Sequence, residues 1–123
     1  MSLGTKEVLN HLLQEACEEG NLKAVKFLFD HGADLHANDE YLLRLSSSCG
    51  YLKIVKYLIK QNADIHVWEN EALQIASFNG HFKIVKYLVN HGADIHADDD
   101  YAFRAANSCG NKDIVEYLKS MKK

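Results

Sequence analysis

Gly80-His81-Phe82-Lys83-Ile84-Val85-Lys86-Tyr87-Leu88-Val89-Asn90-His91-Gly92-Ala93-Asp94-Ile95-His96-Ala97 decides the fold, because the chain repeats it, whole or in part, every 30 residues. Outward from this stretch, Gly20, Gly50, Gly80 and Gly110 share one register. Val25, Val55, Val85 and Val115 share a second, and Leu28, Leu58, Leu88 and Leu118 a third. The link Ala33-Asp34 recurs as Ala63-Asp64 and Ala93-Asp94. A fixed period of this size marks a stacked array whose units are each too small to bury an apolar face alone.

Each unit has its own physical logic. In the third, Ala72, Leu73, Ile75 and Ala76 form the apolar stripe of a short helix. Acidic and amide residues at its start, and at the equivalent starts (Asp39-Glu40, Glu69-Asn70, Asp98-Asp99-Asp100), are expected to cap it and to suit the helix dipole. Gly80 ends that helix, as a residue free to take positive φ does. A second helix follows, apolar at Phe82, Ile84, Val85, Leu88 and Val89, with Lys83 and Lys86 on its other side. It stops at Gly92, whose counterparts are Gly32 and Asn62; asparagine is the next most tolerant of left-handed φ, so Asn62 keeps the backbone requirement. A short β-like link is expected to lead to the next pair.

Helix, tight turn, helix and link resemble the ankyrin repeat. The residues that carry the resemblance are Gly80-His81-Phe82-Lys83-Ile84-Val85 and Gly92-Ala93-Asp94-Ile95-His96-Ala97, and it extends from residue 8 to about 120. The period departs from the usual ~33 residues. The three missing residues fall before the first helix, where the family carries a Thr-Pro pair, and the chain has no proline at all. The resemblance implies a shortened finger, and the shorter variant is similar to arrays of large DNA viruses of protists. The expected architecture is all-α: an ankyrin-type α-solenoid of four stacked helix-turn-helix repeats (8–37, 38–67, 68–97, 98–123) with shortened β-like links, one domain over 8–123 after a flexible leader, 1–7. Glu15 in the first unit, and Lys112 and Lys119 in the last, stand where other units are mostly apolar. Both ends are therefore expected to be polar caps of a complete array.

Composition narrows the function. A net charge of −3 argues against nucleic acid as the main partner, and there is no membrane-spanning or secretory stretch. Cys49 and Cys109 occupy one slot two units apart, roughly 20 Å at ~10 Å per layer, so they cannot pair and are read as reduced thiols. This agrees with an intracellular, cytoplasmic protein (host cytoplasm if viral). His36, His66 and His96 also share a slot, ~10 Å apart, which is too far for one metal ion to bridge; the resemblance implies that they tie neighbouring links. Ser46, Ser47, Ser48 and Cys49 have no placed base, and no cofactor, metal or catalytic site is expected. Lys23, Lys53, Lys83 and Lys26, Lys56, Lys86 read as a solvated face. Phe27, Tyr57, Tyr87 and Tyr117 recur in every unit and read as packing.

Two aromatics break the pattern. Trp68 stands where Asn38 and Asp98 are polar, and Phe78 where Ser48, Ser108 and Glu18 are polar. Aromatic side chains dominate binding hot spots. In the family these slots face the concave groove, so the resemblance implies a protein-binding surface of Trp68, Phe78, Tyr41, Tyr101, Arg44 and Arg104. Asp39, Glu69, Glu71 and Asp99 join it on an acidic rim, and Asn79 next to Phe78 completes the partner-binding set. The expected function is a non-catalytic, monomeric interaction scaffold that takes a basic or mixed-charge segment of a partner protein of unknown identity. The alternative is a structural spacer with no dedicated partner.

Overall fold

The computed structural model describes residues 4–121, and the described chain divides into two compact units, 1–63 and 64–123. Of the leader expected over 1–7, residues 1–3 lie outside the described residues, and Thr5, Lys6 and Glu7 belong to the first helix. The first unit holds α1 (Thr5–Glu18), α2 (Leu22–Asp30), α3 (Ala37–Cys49) and α4 (Leu52–Lys60). The second holds α5 (Val67–Asn79), α6 (Phe82–Asn90), α7 (Ala97–Ser108) and α8 (Lys112–Met121). There is no strand among the described residues. In each unit two helix pairs lie against one another, α1 on α3 and α2 on α4, then α5 on α7 and α6 on α8.

The recurring apolar residues are the reason these short helices persist. Val25, Val55, Val85 and Val115, with Leu28, Leu58, Leu88 and Leu118, are all buried. Helices of nine or ten residues are marginal alone in water, so this burial supplies their stability. The stops behave as their residues require. Gly20, Gly50, Gly80 and Gly110 have φ between 71° and 86°, and Asn62 takes φ 69° in the slot where Gly32 and Gly92 take 101°. A Cβ at Gly20 would lie 2.7 Å from the Tyr51 ring, so that turn requires glycine on space as well as on φ. His31 and His91 donate from Nδ1 to Phe27 O and Tyr87 O, both at 2.8 Å, and so satisfy carbonyls at the ends of α2 and α6.

Side chains also stitch one pair to the next within a unit. Asn10 Oδ1 accepts from Asp34 N–H and Asn70 Oδ1 from Asp94 N–H, each at 2.9 Å. Tyr51 Oη donates to Glu18 O at 3.2 Å, and Asn111 Nδ2 donates to Ser77 O and Phe78 O at 2.9 and 3.2 Å. The stitched groups include carbonyls at the ends of α1 and α5, which lack helical partners.

The three links, numbered two, three and four after the repeats they lead into, differ from the β-like segments expected from sequence. Each opens with an aspartate turn, in which Asp34, Asp64 or Asp94 accepts at Oδ1 from the amide two residues on, at 2.9 Å. Three consecutive residues then take left-handed backbone: Asn38-Asp39-Glu40, Trp68-Glu69-Asn70 and Asp98-Asp99-Asp100, with φ between 54° and 65°. These residues, expected to cap the helices, form the left-handed turn that precedes the right-handed backbone of α3, α5 and α7, and His36, His66 and His96 before them make no side-chain cap bond. The chain has three fewer residues in which to reverse, and one tight left-handed turn does it. At the start of α2 the cap is a side chain, with Asn21 Oδ1 accepting from Ala24 N–H at 3.0 Å.

Candidate partner-binding surface

A left-handed residue costs roughly 1–2 kcal/mol with an ordinary side chain, less with asparagine or aspartate, so three in a row need fixing from outside. Two devices hold each turn. A histidine opens it and reaches forward four residues: His36 Nδ1 to Glu40 Oε1 at 2.9 Å, His66 Nδ1 to Asn70 Oδ1 at 3.1 Å, and His96 Nδ1 to Asp100 Oδ1 at 2.7 Å. Sequence reading has these histidines tying neighbouring links. They tie their own instead, and the bond to the next link comes from Asn10 and Asn70.

The second device is a long donor from the following helix. Arg44 donates from Nε to Asp39 O at 3.3 Å and from Nη2 to Asn38 O at 3.2 Å. Arg104 repeats this on Asp99 O and Asp98 O at 2.9 and 3.1 Å. The third link has Gln74 here, and its Nε2 donates to Glu69 O alone, at 2.8 Å. Each guanidinium also lies over a tyrosine, Arg44 on Tyr41 at 5.4 Å and Arg104 on Tyr101 at 5.3 Å from the ring centre. Arg44 and Arg104 therefore have a task inside their own links that sequence reasoning did not assign them.

The predicted surface residues fall into separate places. In the second unit, Phe78 and Tyr101 line one open groove with Glu71, Gln74 and Ile75, about 390 Å³ in volume. Phe78 is 52% exposed and Tyr101 37%. Trp68, at 59%, sits in the left-handed turn Trp68-Glu69-Asn70 and does not line that groove. Glu69 and Asn79 are exposed in α5, as is Asp99 in the turn that Arg104 holds. In the first unit, Tyr41 is half-buried and lines a smaller hollow of about 220 Å³ with Asn10, Gln14 and Asn38, while Asp39 is exposed.

Cys17 is fully buried, and desolvation, with Cys49 and Glu18 nearby, pushes its pKa up to about 12, so it stays protonated at neutral pH and is a poor nucleophile. Cys49 and Cys109 are exposed free thiols. Among the described residues no three His, Cys, Asp or Glu side chains gather as a metal site would require, and no helix is long and apolar enough to cross a membrane. The lysines of both ladders are exposed, with Lys26 over the Tyr57 ring at 5.6 Å and Lys86 over Phe82 at 5.1 Å.

A family model described as ankyrin repeats (3 copies) matches residues 13–99 and again 42–123. The chain belongs to the ankyrin-repeat family. Its all-α helix-turn-helix units are those of the family, and ankyrin repeats are in general non-enzymatic modules of protein–protein interaction. No curated protein matches the chain. Within this ankyrin-repeat protein, sequence reasoning missed Leu12 and Phe27, both exposed. They follow the repeat pattern faithfully, and a pattern-following residue reads as packing. The signal was their place in the first repeat, where α1 and α2 have a described neighbour only on the α3–α4 side. The same residues correct the expected polar cap: Glu15 is there, but so is an apolar strip.

Proposed function

We propose that this ankyrin-repeat protein is a non-catalytic scaffold that holds a segment of a partner protein in the Phe78–Tyr101 groove, with Trp68 as a second contact. The observation that carries the reading is that Phe78 and Trp68 are each more than half exposed, Phe78 in a slot that Glu18, Ser48 and Ser108 fill in the sister repeats and Trp68 in a left-handed turn where Asn38 and Asp98 stand in two of them. Exposed aromatics offer large contact area with few rotors to freeze, so their truncation is costly to binding. Glu71 in the groove, with Glu69, Asp98 and Asp99 on the adjoining turns, suits a basic or mixed-charge segment with one apolar anchor. Turns locked by Arg104, Gln74 and the histidines keep these contacts in place before the partner arrives. We place this activity in the cytoplasm, in keeping with the exposed free thiols.

The test is affinity capture from lysate followed by titration of the isolated partner. Phe78→Ala with Trp68→Ala should weaken binding by roughly 30-fold or more, the equivalent of a hot-spot loss of about 2 kcal/mol, with the urea midpoint nearly unchanged. A specific partner bound equally well by the double variant would reject the site. Equal loss of fold and binding would assign the two rings to packing.

A further inference from the structure

The first helix pair carries an exposed apolar face. Leu12 of α1 is 42% exposed and Phe27 of α2 60%, and they line a groove of about 710 Å³ with Glu15, Glu19 and Lys23. In the slot of Leu12, later repeats bury Leu42, Ala72 and Ala102; in the slot of Phe27, they half-bury Tyr57, Tyr87 and Tyr117. The first unit shows what covers such a face. Tyr57 of the second repeat receives the edge of Phe29 at 6.4 Å and the ammonium of Lys26 at 5.6 Å, both from the first helix pair. The surface around Leu12 and Phe27 is thus shaped for another helix pair, with a cation among its contacts.

We infer that the occupant is a second copy of this chain, paired face to face about a twofold axis parallel to α1 and α2. Such an axis sets α1 of one copy against α2 of the other, antiparallel. At 1.5 Å per residue, Leu12 lies about 9 Å from the end of α1 next to the turn, and Phe27 about 7.5 Å from the start of α2. The two therefore meet at one height, each ring on the other copy's leucine. Glu15 and Glu19 near the end of α1 fall opposite Lys23 at the start of α2, so opposite charges meet twice. Head-to-tail stacking is the poorer solution. Phe29 and Phe82 show which slots face a following repeat, through their contacts with Tyr57 and Tyr117, and in the last repeat those slots hold Lys119 and Lys112, both exposed. A closed dimer leaves those lysines in water, whereas an open stack would bury them.

The face is small. Two helices of 14 and 9 residues, about 21 and 14 Å long and ~10 Å wide, offer on the order of 350 Å² per copy, below the ~800 Å² per partner of a standard stable interface. A weak dimer is accordingly expected, with a dissociation constant roughly in the tens to hundreds of micromolar.

Sedimentation equilibrium of the full chain, over roughly 5–500 µM, is the test that range prescribes. The weight-average mass should rise toward twice the monomer. Leu12→Glu with Phe27→Glu should hold it at the monomer with unchanged helix circular dichroism, since both side chains are exposed. Lys23→Glu should weaken association at least tenfold, and Lys23→Glu combined with Glu15→Lys and Glu19→Lys should restore it. A monomer throughout the range, association indifferent to Leu12→Glu with Phe27→Glu, or mass climbing past the dimer would each overturn the pairing.

Discussion

The third link and the second and fourth links solve one backbone problem with different residues. Links two and four use Asn38-Asp39-Glu40 and Asp98-Asp99-Asp100, residues mostly tolerant of left-handed φ, and clamp them with a two-pronged arginine stacked on tyrosine. The third uses Trp68-Glu69-Asn70, two of them poorly suited to that backbone, and clamps it with one amide from Gln74. Glu71 replaces the tyrosine. The third link is therefore more strained, with one side-chain bond from the following helix to its carbonyls where the other two links have two, and it is the one that presents Trp68. Local strain of this kind tends to gather at functional positions. The contrast supports the second unit, rather than the first, as the partner-binding half.

Removing the clamps should separate the two designs most. Arg104→Ala strips two charge-assisted bonds from the carbonyls of the fourth link and should cost about 1.5 kcal/mol of stability, read from urea denaturation followed by circular dichroism. Gln74→Ala removes one neutral bond and should cost about half as much. If the two losses are equal, the number of prongs is irrelevant and the clamp argument fails.

Relieving the strain should act in the opposite direction and more gently. Glu69 sits at φ 55°, and Glu69→Gly should raise stability by about 1 kcal/mol, the left-handed cost outweighing the extra freedom of glycine in the unfolded chain. Asp99 occupies the same slot at φ 54°, and Asp99→Gly should change stability by only a few tenths of a kcal/mol, since aspartate already tolerates that region. A gain as large at Asp99 as at Glu69 would remove the distinction between the links.

The helices were legible and the links were not, for a physical reason. Val25, Leu28 and their counterparts carry one meaning, burial at helical spacing, and four occurrences in register leave no other reading. Gly80 and Asn62 likewise state a φ requirement directly. Asp98-Asp99-Asp100 carries two meanings, because short acidic side chains favour both helix caps and left-handed backbone, and no glycine marks the turn. The discriminating signal was present at a distance. Arg44, Gln74 and Arg104 recur in one slot, all long donors, which a capped helix would not need but exposed turn carbonyls do. At the candidate site, the sequence singled out Trp68 and Phe78 by their departure from the repeat, and both are exposed. It could not give the groove that joins Phe78 to Tyr101, since those residues lie on different repeats and meet only once the layers are packed.

The smallest effect is the most direct test of the contrast, because it converts one link into the other. Glu71→Tyr with Gln74→Arg installs the tyrosine and two-pronged donor of links two and four beneath Trp68. The added prong and the ring beneath it should stabilise the chain by about 0.5–1 kcal/mol. The same change removes Glu71 from the groove beside Phe78 and places a cation there, so a basic partner segment should bind less well although the fold is firmer. Stability and binding would then move in opposite directions through two substitutions. That result is expected if the strained third link is retained for its surface, whereas a gain in both would mean that its residues serve neither purpose.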